Sequence, residues 1–291
     1  MACWCVHARM PGPASVLGGC WWKPSYGADV GSRADKLGAG MMFDDLVQSV
    51  ARRLVRFSKR RSRRNLHAWL EESIREFSAN GQGLVINIGA GGEVAGWLDD
   101  LGVRATSIDI DPNRHPDLVA DMEDLSALAD ASVSMAICIE VLEHVRHPHL
   151  AVRELNRVLQ PGGVLVGSTP FLLGIHDAPA DYFRYTSHGL RMLFADFELL
   201  QLRERNGYFD AVAVLLLRRF AVGTRGERTA ALLLSPVLIA LTYILELIGR
   251  VLHSTDGTTG YFFVYRKLEK TMHSEPDNVD ADRPKAQDNG G

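Results

Sequence analysis

The chain has 291 residues and a formal net charge of -3, with 46% hydrophobic and 23% charged residues. That balance belongs to globular proteins and excludes collagenous or wholly disordered chains, and the length allows one large decorated domain or two small ones. The near-neutral charge gives no overall pull toward nucleic acid, and the four cysteines (Cys3, Cys5, Cys20 and Cys138) show neither metal-finger spacing nor a disulfide framework, so a reducing cytosolic compartment is the default.

Residues 1–40 mix Gly, Pro and scattered tryptophans without helical or strand period, and they read as irregular. They lack a basic stretch followed by an apolar one, so no secretory signal is predicted. The pair Met41-Met42 after this segment suggests a natural start there. Residues 41–82 read as a basic helical region, with helix expected from about Phe43 to Phe77. Within it Arg52, Arg53, Arg56, Lys59, Arg60, Arg61, Arg63 and Arg64 form a block with no acid between them. Two readings stand: a solvated helix face, or attraction to anionic lipid headgroups at about 1 kcal/mol per basic residue near the surface. No aromatic platform accompanies the charges, so nucleic acid is not expected as a partner.

The stretch Leu84-Val-Ile-Asn-Ile-Gly-Ala-Gly-Gly-Glu93 is a buried apolar strand running into glycines. There the backbone can turn sharply and approach a ligand that a Cβ would exclude. A helix from about Gly92 would aim its unpaired N–H groups at that ligand. About twenty residues on, Asp109 ends a second strand (Val103–Asp109), placed to accept hydrogen bonds from a ribose diol. The dinucleotide fingerprint needs a small residue where Val94 stands, which argues against a nicotinamide cofactor. Further alternation follows: short Leu118–Val119, Val133–Glu140, helix His149–Leu159, Val164–Ser168, helix Thr186–Phe194 capped by Thr186 or Ser187, and strand Phe197–Arg205. Such alternation implies a parallel sheet with right-handed crossovers.

Two segments then break the pattern. Phe209–Leu217 is apolar, and Ala230–Ile248 is nearly so, interrupted by Ser235, Pro236, Thr242, Tyr243 and Glu246. A helix hydrophobic all round is either buried or in lipid, and its length approaches the roughly 20 residues of a bilayer span. A single span would strand Tyr261–Arg266 on the wrong side of the membrane from its sheet, so helices lying against one leaflet are expected. A hydrophobic cap or homodimer interface is the rival reading. The polar, Asp- and Asn-rich tail 271–291 reads as disordered.

Ala136-Ile-Cys-Ile-Glu-Val-Leu-Glu-His-Val145 and Glu154-Leu-Asn-Arg-Val-Leu-Gln-Pro-Gly-Gly-Val-Leu-Val166, in order behind the glycine loop, closely resemble class I S-adenosylmethionine-dependent methyltransferases. The branch resembled is methyltransferase type 11, similar to the quinone O-methyltransferases. The resemblance covers roughly Leu84 to Asp196. It implies an α/β, Rossmann-like, doubly wound sheet of seven strands, six parallel and the last antiparallel. N-terminal helices would precede it, and an apolar helical insert would precede the last strand. In that frame residues 83–270 form the domain, residues 208–257 are the insert, and Tyr261–Arg266 is an antiparallel edge strand.

By the same resemblance S-adenosyl-L-methionine is the cofactor. Gly89, Ala90 and Gly91 would contact its methionine part, Asp109 its ribose, and Ile110 its adenine. Asp121 with Met122 would meet the adenine amino group, and Ile139 and Glu140 would lie beneath the sulfonium. Two departures stand out: Asn87 where relatives carry an acid, and Glu93 where a glycine is common. His144 is the natural general base. Related quinone O-methyltransferases bind a metal with an E-x-x-E-H stretch, here Glu140, Glu143 and His144, but the pattern also occurs without metal and none is assigned. His176, Asp181, Tyr182 and Arg184 lie in a loop where acceptors bind; His176 and Asp181 join His144 as catalytic candidates. The alternative for that loop is a packed turn with Arg184 pairing an acid.

The expectation is therefore O-methylation of a small hydrophobic or lipid-linked acceptor by a cytoplasmic protein, peripheral at the inner membrane face. The rivals are a methyltransferase of a soluble metabolite whose insert makes a homodimer, and a scaffold that kept the fold without catalysis.

Overall fold

A computed structural model describes residues 30–78, 83–252 and 257–269. The irregular reading of residues 1–29 and the tail reading of 271–291 lie outside these. Helix begins at Val30, earlier than expected, and the N-terminal region is two helices rather than one: α1 (Val30–Ser62) and α2 (Leu66–Ser78). The remaining elements are β1 (Leu84–Ile88), α3 (Val94–Asp100), β2 (Thr106–Asp109), β3 (Leu118–Val119), β4 (Val133–Ile139), α4 (Pro148–Val158), β5 (Leu159–Pro170), α5 (Ser187–Leu193), β6 (Phe197–Glu204), α6 (Tyr208–Val222), α7 (Arg225–Val251) and β7 (Gly260–Lys267).

The sheet has seven strands in the order β3-β2-β1-β4-β5-β7-β6, and β7 runs antiparallel to both its neighbours. The alternation of strands and helices thus gives the expected doubly wound sheet. One detail differs: β7 is not an edge strand but is inserted between β5 and β6, whose outer side forms the edge. Its residues explain this, because Tyr261 through Tyr265 are all buried, and an edge strand half open to water would expose every second one. Strand β2 is shorter than expected, beginning at Thr106, while β5 begins at Leu159 and carries Pro161-Gly-Gly163 within it. Pairing of β4 with β5 shifts register between Val133 and Met135, where that turn is absorbed.

All seven residues of β4 are buried, because helices cover both faces. Met135, Ile137 and Ile139 face α2 and α3, where Trp69, Leu70, Ile74 and Leu98 pack. Ala136 and Cys138 face the opposite layer with Leu155, Leu190 and Phe194. The period of two along β4 therefore divides one strand between two cores. Thr186 caps α5 as expected, its hydroxyl accepting from the Gly189 N–H at 3.0 Å.

The insert forms two helices that pack on each other and on α1. Val47, Ala51, Leu54, Ser58 and Arg61 make the buried stripe of α1, at helical spacing, and Leu54 meets Leu217, Ala221, Ala231 and Leu238. Arg61 is buried between the insert helices, its guanidinium 2.8 Å from Asp210 and 3.0 Å from Glu246. Glu246 also takes Arg64 at 2.8 Å and Arg250 at 3.0 Å. The Arg64 hydrogen bonds, then those of Arg250 and Arg61, hold its carboxyl down at about 2 against the opposing effect of burial. Arg61 and Arg64 of the basic block are therefore structural. Removing the cation alone leaves two carboxylates facing each other, so Arg61→Met should lower stability by about 3 kcal/mol in urea denaturation. A loss no larger than that of an ordinary surface substitution would contradict this role.

Candidate functional site

The carboxyl ends of β1, β2, β4 and β5 bring most of the sequence-predicted residues together. Gly89 adopts φ +89, and a Cβ there would lie 2.7 Å from a methyl of Val141. Its N–H donates to the Ile108 carbonyl at 2.8 Å, tying the loop to β2. A Cβ on Gly91 would lie 1.6 Å from Nη1 of Arg114, so the loop surface is open to a side chain or ligand and closed to bulk of its own. Ala90 lines the same turn, half-buried.

Asp109 ends β2 with its carboxyl buried. Oδ1 accepts from the Asp111 N–H at 2.9 Å, whereas Oδ2 is buried without a hydrogen-bond partner, 3.8 Å from Nε of Arg114. A buried acceptor left unpaired is costly. An orphaned carboxylate oxygen beside a glycine cradle fits a hydroxyl-bearing ligand such as a nucleoside, once Arg114 moves. Ile110 is half exposed next to it and Met122 is buried. Asp121 has its Oδ1 accepting from the Glu123 N–H at 2.9 Å, the geometry of a turn. Asn87 is buried with its amide oxygen unpartnered, and Glu93 is exposed at the start of α3 without a capping bond.

Ile139 ends β4 and is buried. Glu140 follows it with φ +57, held by its N–H on the Ser168 carbonyl at 2.9 Å. Its carboxylate receives Arg63 at 3.2 Å and both Nη1 and Nη2 of Arg205, and the Ser168 hydroxyl donates to it at 3.3 Å. Burial alone would raise this carboxyl, but Arg205 first and Arg63 second hold it at about 2. The E-x-x-E-H stretch is thereby split, because Glu140 belongs to the arginines and not to His144.

Glu143 is fully buried, and neither carboxylate oxygen has a hydrogen bond. Its Oε1 lies 3.7 Å from Nε2 of His144 and 3.7 Å from Nε2 of His176. Burial and then the Glu140 charge push its carboxyl up, against the attraction of the two imidazoles. Nδ1 of His144 donates to the Ala180 carbonyl, which places the ring proton on that nitrogen. Nδ1 of His176 is 3.3 Å from Asp181, and the Asp181 carboxylate also takes Arg184 through both Nη atoms at 2.5 and 2.6 Å. The loop is clamped onto the strand end by the N–H groups of Tyr182 and Phe183, both donating to the Glu143 carbonyl. Glu143, His144 and His176 offer three ligand atoms within 4.8 Å of one another. That set of one carboxylate and two imidazoles would suit a borderline ion such as Zn²⁺ better than Mg²⁺; protonated, the same trio is a proton relay.

Residues 86–167 match the family model described as "Methyltransferase domain". The chain carries a methyltransferase domain. Over 103 residues it is 33% identical to "Thiol S-methyltransferase TMT1B" of Homo sapiens and 35% identical to "Ubiquinone biosynthesis O-methyltransferase" of Xanthomonas oryzae pv. oryzae. Those alignments cover 30% and 29% of this chain, and the chain spans 42% of the length of either relative. A solved structure, that of a "SAM dependent methyltransferase from Archaeoglobus fulgidus", is similar at 16% identity with a TM-score of 0.46, covering 71% of this chain and 95% of that one.

The sequence reading missed Arg63, Arg114, Arg205 and Arg218 as neighbours of the site. The Arg63 and Arg205 contacts to Glu140 span 77 and 65 residues, and no spacing rule reaches that far. The loop reading was partly met on both sides: Arg184 does pair an acid, and that same acid orients His176. His176 titrates above its ordinary value near 6.5, because Glu143, Asp181 and Glu140 outweigh the opposing effect of burial. NMR titration of the ring should show this, with Asp181→Asn moving the His176 midpoint down. An unshifted midpoint in that variant would contradict the pairing.

Proposed function

We propose that this protein transfers a methyl group from S-adenosyl-L-methionine to an oxygen of a small hydrophobic or lipid-linked acceptor at a membrane surface. The unpartnered Oδ2 of Asp109 beside the Gly89–Gly91 cradle is the observation that carries the cofactor part. When bound, the cofactor supplies a methyl group on a sulfonium, open to in-line displacement. Asp109 would accept the ribose hydroxyls, Ile110 and Met122 with Asp121 would hold the adenine, and Ile139 would lie beneath the sulfonium. Glu140 would act through its arginines on the shape of the site at that point. Alignment of the two reactants is the main contribution of such a site.

The acceptor hydroxyl gives its proton to Nε2 of His176, whose other nitrogen is oriented by Asp181. His144, fixed on the Ala180 carbonyl, supports the same pocket from the strand end. His176, having taken that proton, would pass it on to solvent. A thiol acceptor is the second reading, in keeping with the relative named as a thiol S-methyltransferase. A thiol ionises near pH 8.5, about 1.5 units below a phenol, so the built imidazole–carboxylate pair favours oxygen.

The membrane part rests on the insert. Leu233, Val237, Ile244, Leu247 and Val251 are exposed on α7 at helical spacing. Arg52, Arg53, Arg56 and Arg60 are exposed on α1 and form no ion pair among the described residues. The 27-residue helix α7 is apolar and long enough to cross a bilayer, about 40 Å. Its start is tied to Asp44 through Arg225 and its end to Arg61 through Glu246, which supports a helix lying along α1 on the surface of one leaflet.

Titration calorimetry tests the cofactor part: S-adenosylhomocysteine should bind saturably, and Asp109→Ala should weaken it at least about tenfold. Unchanged affinity in that variant would remove Asp109 from the site. Cosedimentation tests the rest. Vesicles of phosphatidylcholine with phosphatidylglycerol should retain the protein, and a Leu233→Ser, Val237→Ser, Leu247→Ser variant should stay in solution. No vesicle binding together with a dimer by light scattering would assign the apolar face to a second copy.

A further inference from the structure

Four guanidinia gather around the end of β4, and their partners do not balance them. Arg184 is matched by Asp181 through two hydrogen bonds. Arg63 and Arg205 share one carboxylate, that of Glu140. Arg218, from α6, stands within electrostatic range of Arg63, Arg184, Arg205 and Glu140, yet among the described residues it forms no ion pair, and its Nε is buried without a hydrogen bond. Three guanidinia thus face one carboxylate. Glu143 does not close the gap, because burial drives it toward the neutral form and its neighbours are two imidazoles.

A guanidinium stays charged at any physiological pH, and leaving such a charge desolvated without a partner is strongly unfavourable. Burial first, and then the Arg63 charge, lower the Arg218 guanidinium's pKa against the opposing pull of the Glu140 carboxylate. Arg218 lies in the C-terminal half of α6, the helix that packs along α1 and whose Asp210 meets Arg61 at 2.8 Å.

We infer that Arg218, flanked by Arg63 and Arg205, binds an anionic group of the methyl acceptor, a phosphate, diphosphate or carboxylate. The planar fork of donors suits two oxygens of one such group. This deepens the proposed function and rests on it. The acceptor becomes an amphipathic anion, its headgroup on the arginines and its apolar part along the insert that supplies both Arg218 and the exposed face of α7. The carboxylate of the cofactor carries the same chemistry, so a test must separate the two sources.

Calorimetry on the full chain does so, with inorganic pyrophosphate as probe and S-adenosylhomocysteine at saturation. Pyrophosphate should bind saturably. Arg218→Gln should weaken it by about tenfold or more, Arg218→Lys should weaken it less, and the affinity for S-adenosylhomocysteine should be unchanged in both. Equal pyrophosphate binding by wild type and Arg218→Gln would overturn the inference, as would no binding by a wild type that takes up S-adenosylhomocysteine. A parallel loss of both ligands would assign Arg218 to the cofactor and overturn it equally. If wild type fails to bind S-adenosylhomocysteine, the proposed function falls, while the pyrophosphate titration without it still decides Arg218. Thermal melts identify a variant that fails to fold, and Arg218→Lys, which keeps the charge, then carries the comparison with wild type.

Discussion

A single buried carboxylate organises this molecule. Glu140 follows the central strand in a left-handed backbone conformation, which costs a non-glycine residue of order 1–3 kcal/mol. Its charge would be costly in that setting without partners. Arg63 arrives from the turn after α1, Arg205 from the end of β6, and Ser168 from β5. Three regions distant in sequence are thus fastened to the point where β4 leaves the sheet. The N-terminal helices consequently belong to the site, even though the family match begins only at residue 86.

From that clamp the two halves of the site separate. The residues proposed for the cofactor are mostly local: the glycine turn after β1, Asp109 at the end of β2, and residues that follow β2 and β3. Those proposed for the acceptor come from farther apart in sequence: Glu143 and His144 after β4, the His176–Arg184 loop after β5, and Arg218 on α6. The basic block of α1 divides along the same line. Arg61, Arg63 and Arg64 turn inward to hold the insert and the clamp, while Arg52, Arg53, Arg56 and Arg60 stay outside. One run of like charges therefore serves both an internal framework and an exposed face, which neither of the two sequence readings allowed for separately.

What was legible in the sequence follows the range of the physics involved. Glycines before a helix, an acid ending a strand, the Thr186 cap and the apolar period of β4 are local signals, and the fold honours each of them. The interior position of β7 was missed although the unbroken apolar run Tyr261–Tyr265 is the pattern of a strand covered on both faces; which neighbours it takes depends on the edge left open after β5. The E-x-x-E-H stretch read as a unit, yet Glu140 and Glu143 diverge because arginines from residues 63 and 205 claim one of them. Arg114 was silent for a different reason. Its guanidinium rests on Gly91 and near Asp109, a contact set by how the loops after β1 and β2 meet in space.

That last contact makes the account directly testable. A crystal structure grown with S-adenosylhomocysteine should place a ribose hydroxyl on Oδ2 of Asp109, with the Arg114 guanidinium displaced from Gly91 and the Glu140 clamp intact. A ligand bound elsewhere while Arg114 still covers Gly91 would contradict the reading of this cradle as the cofactor seat.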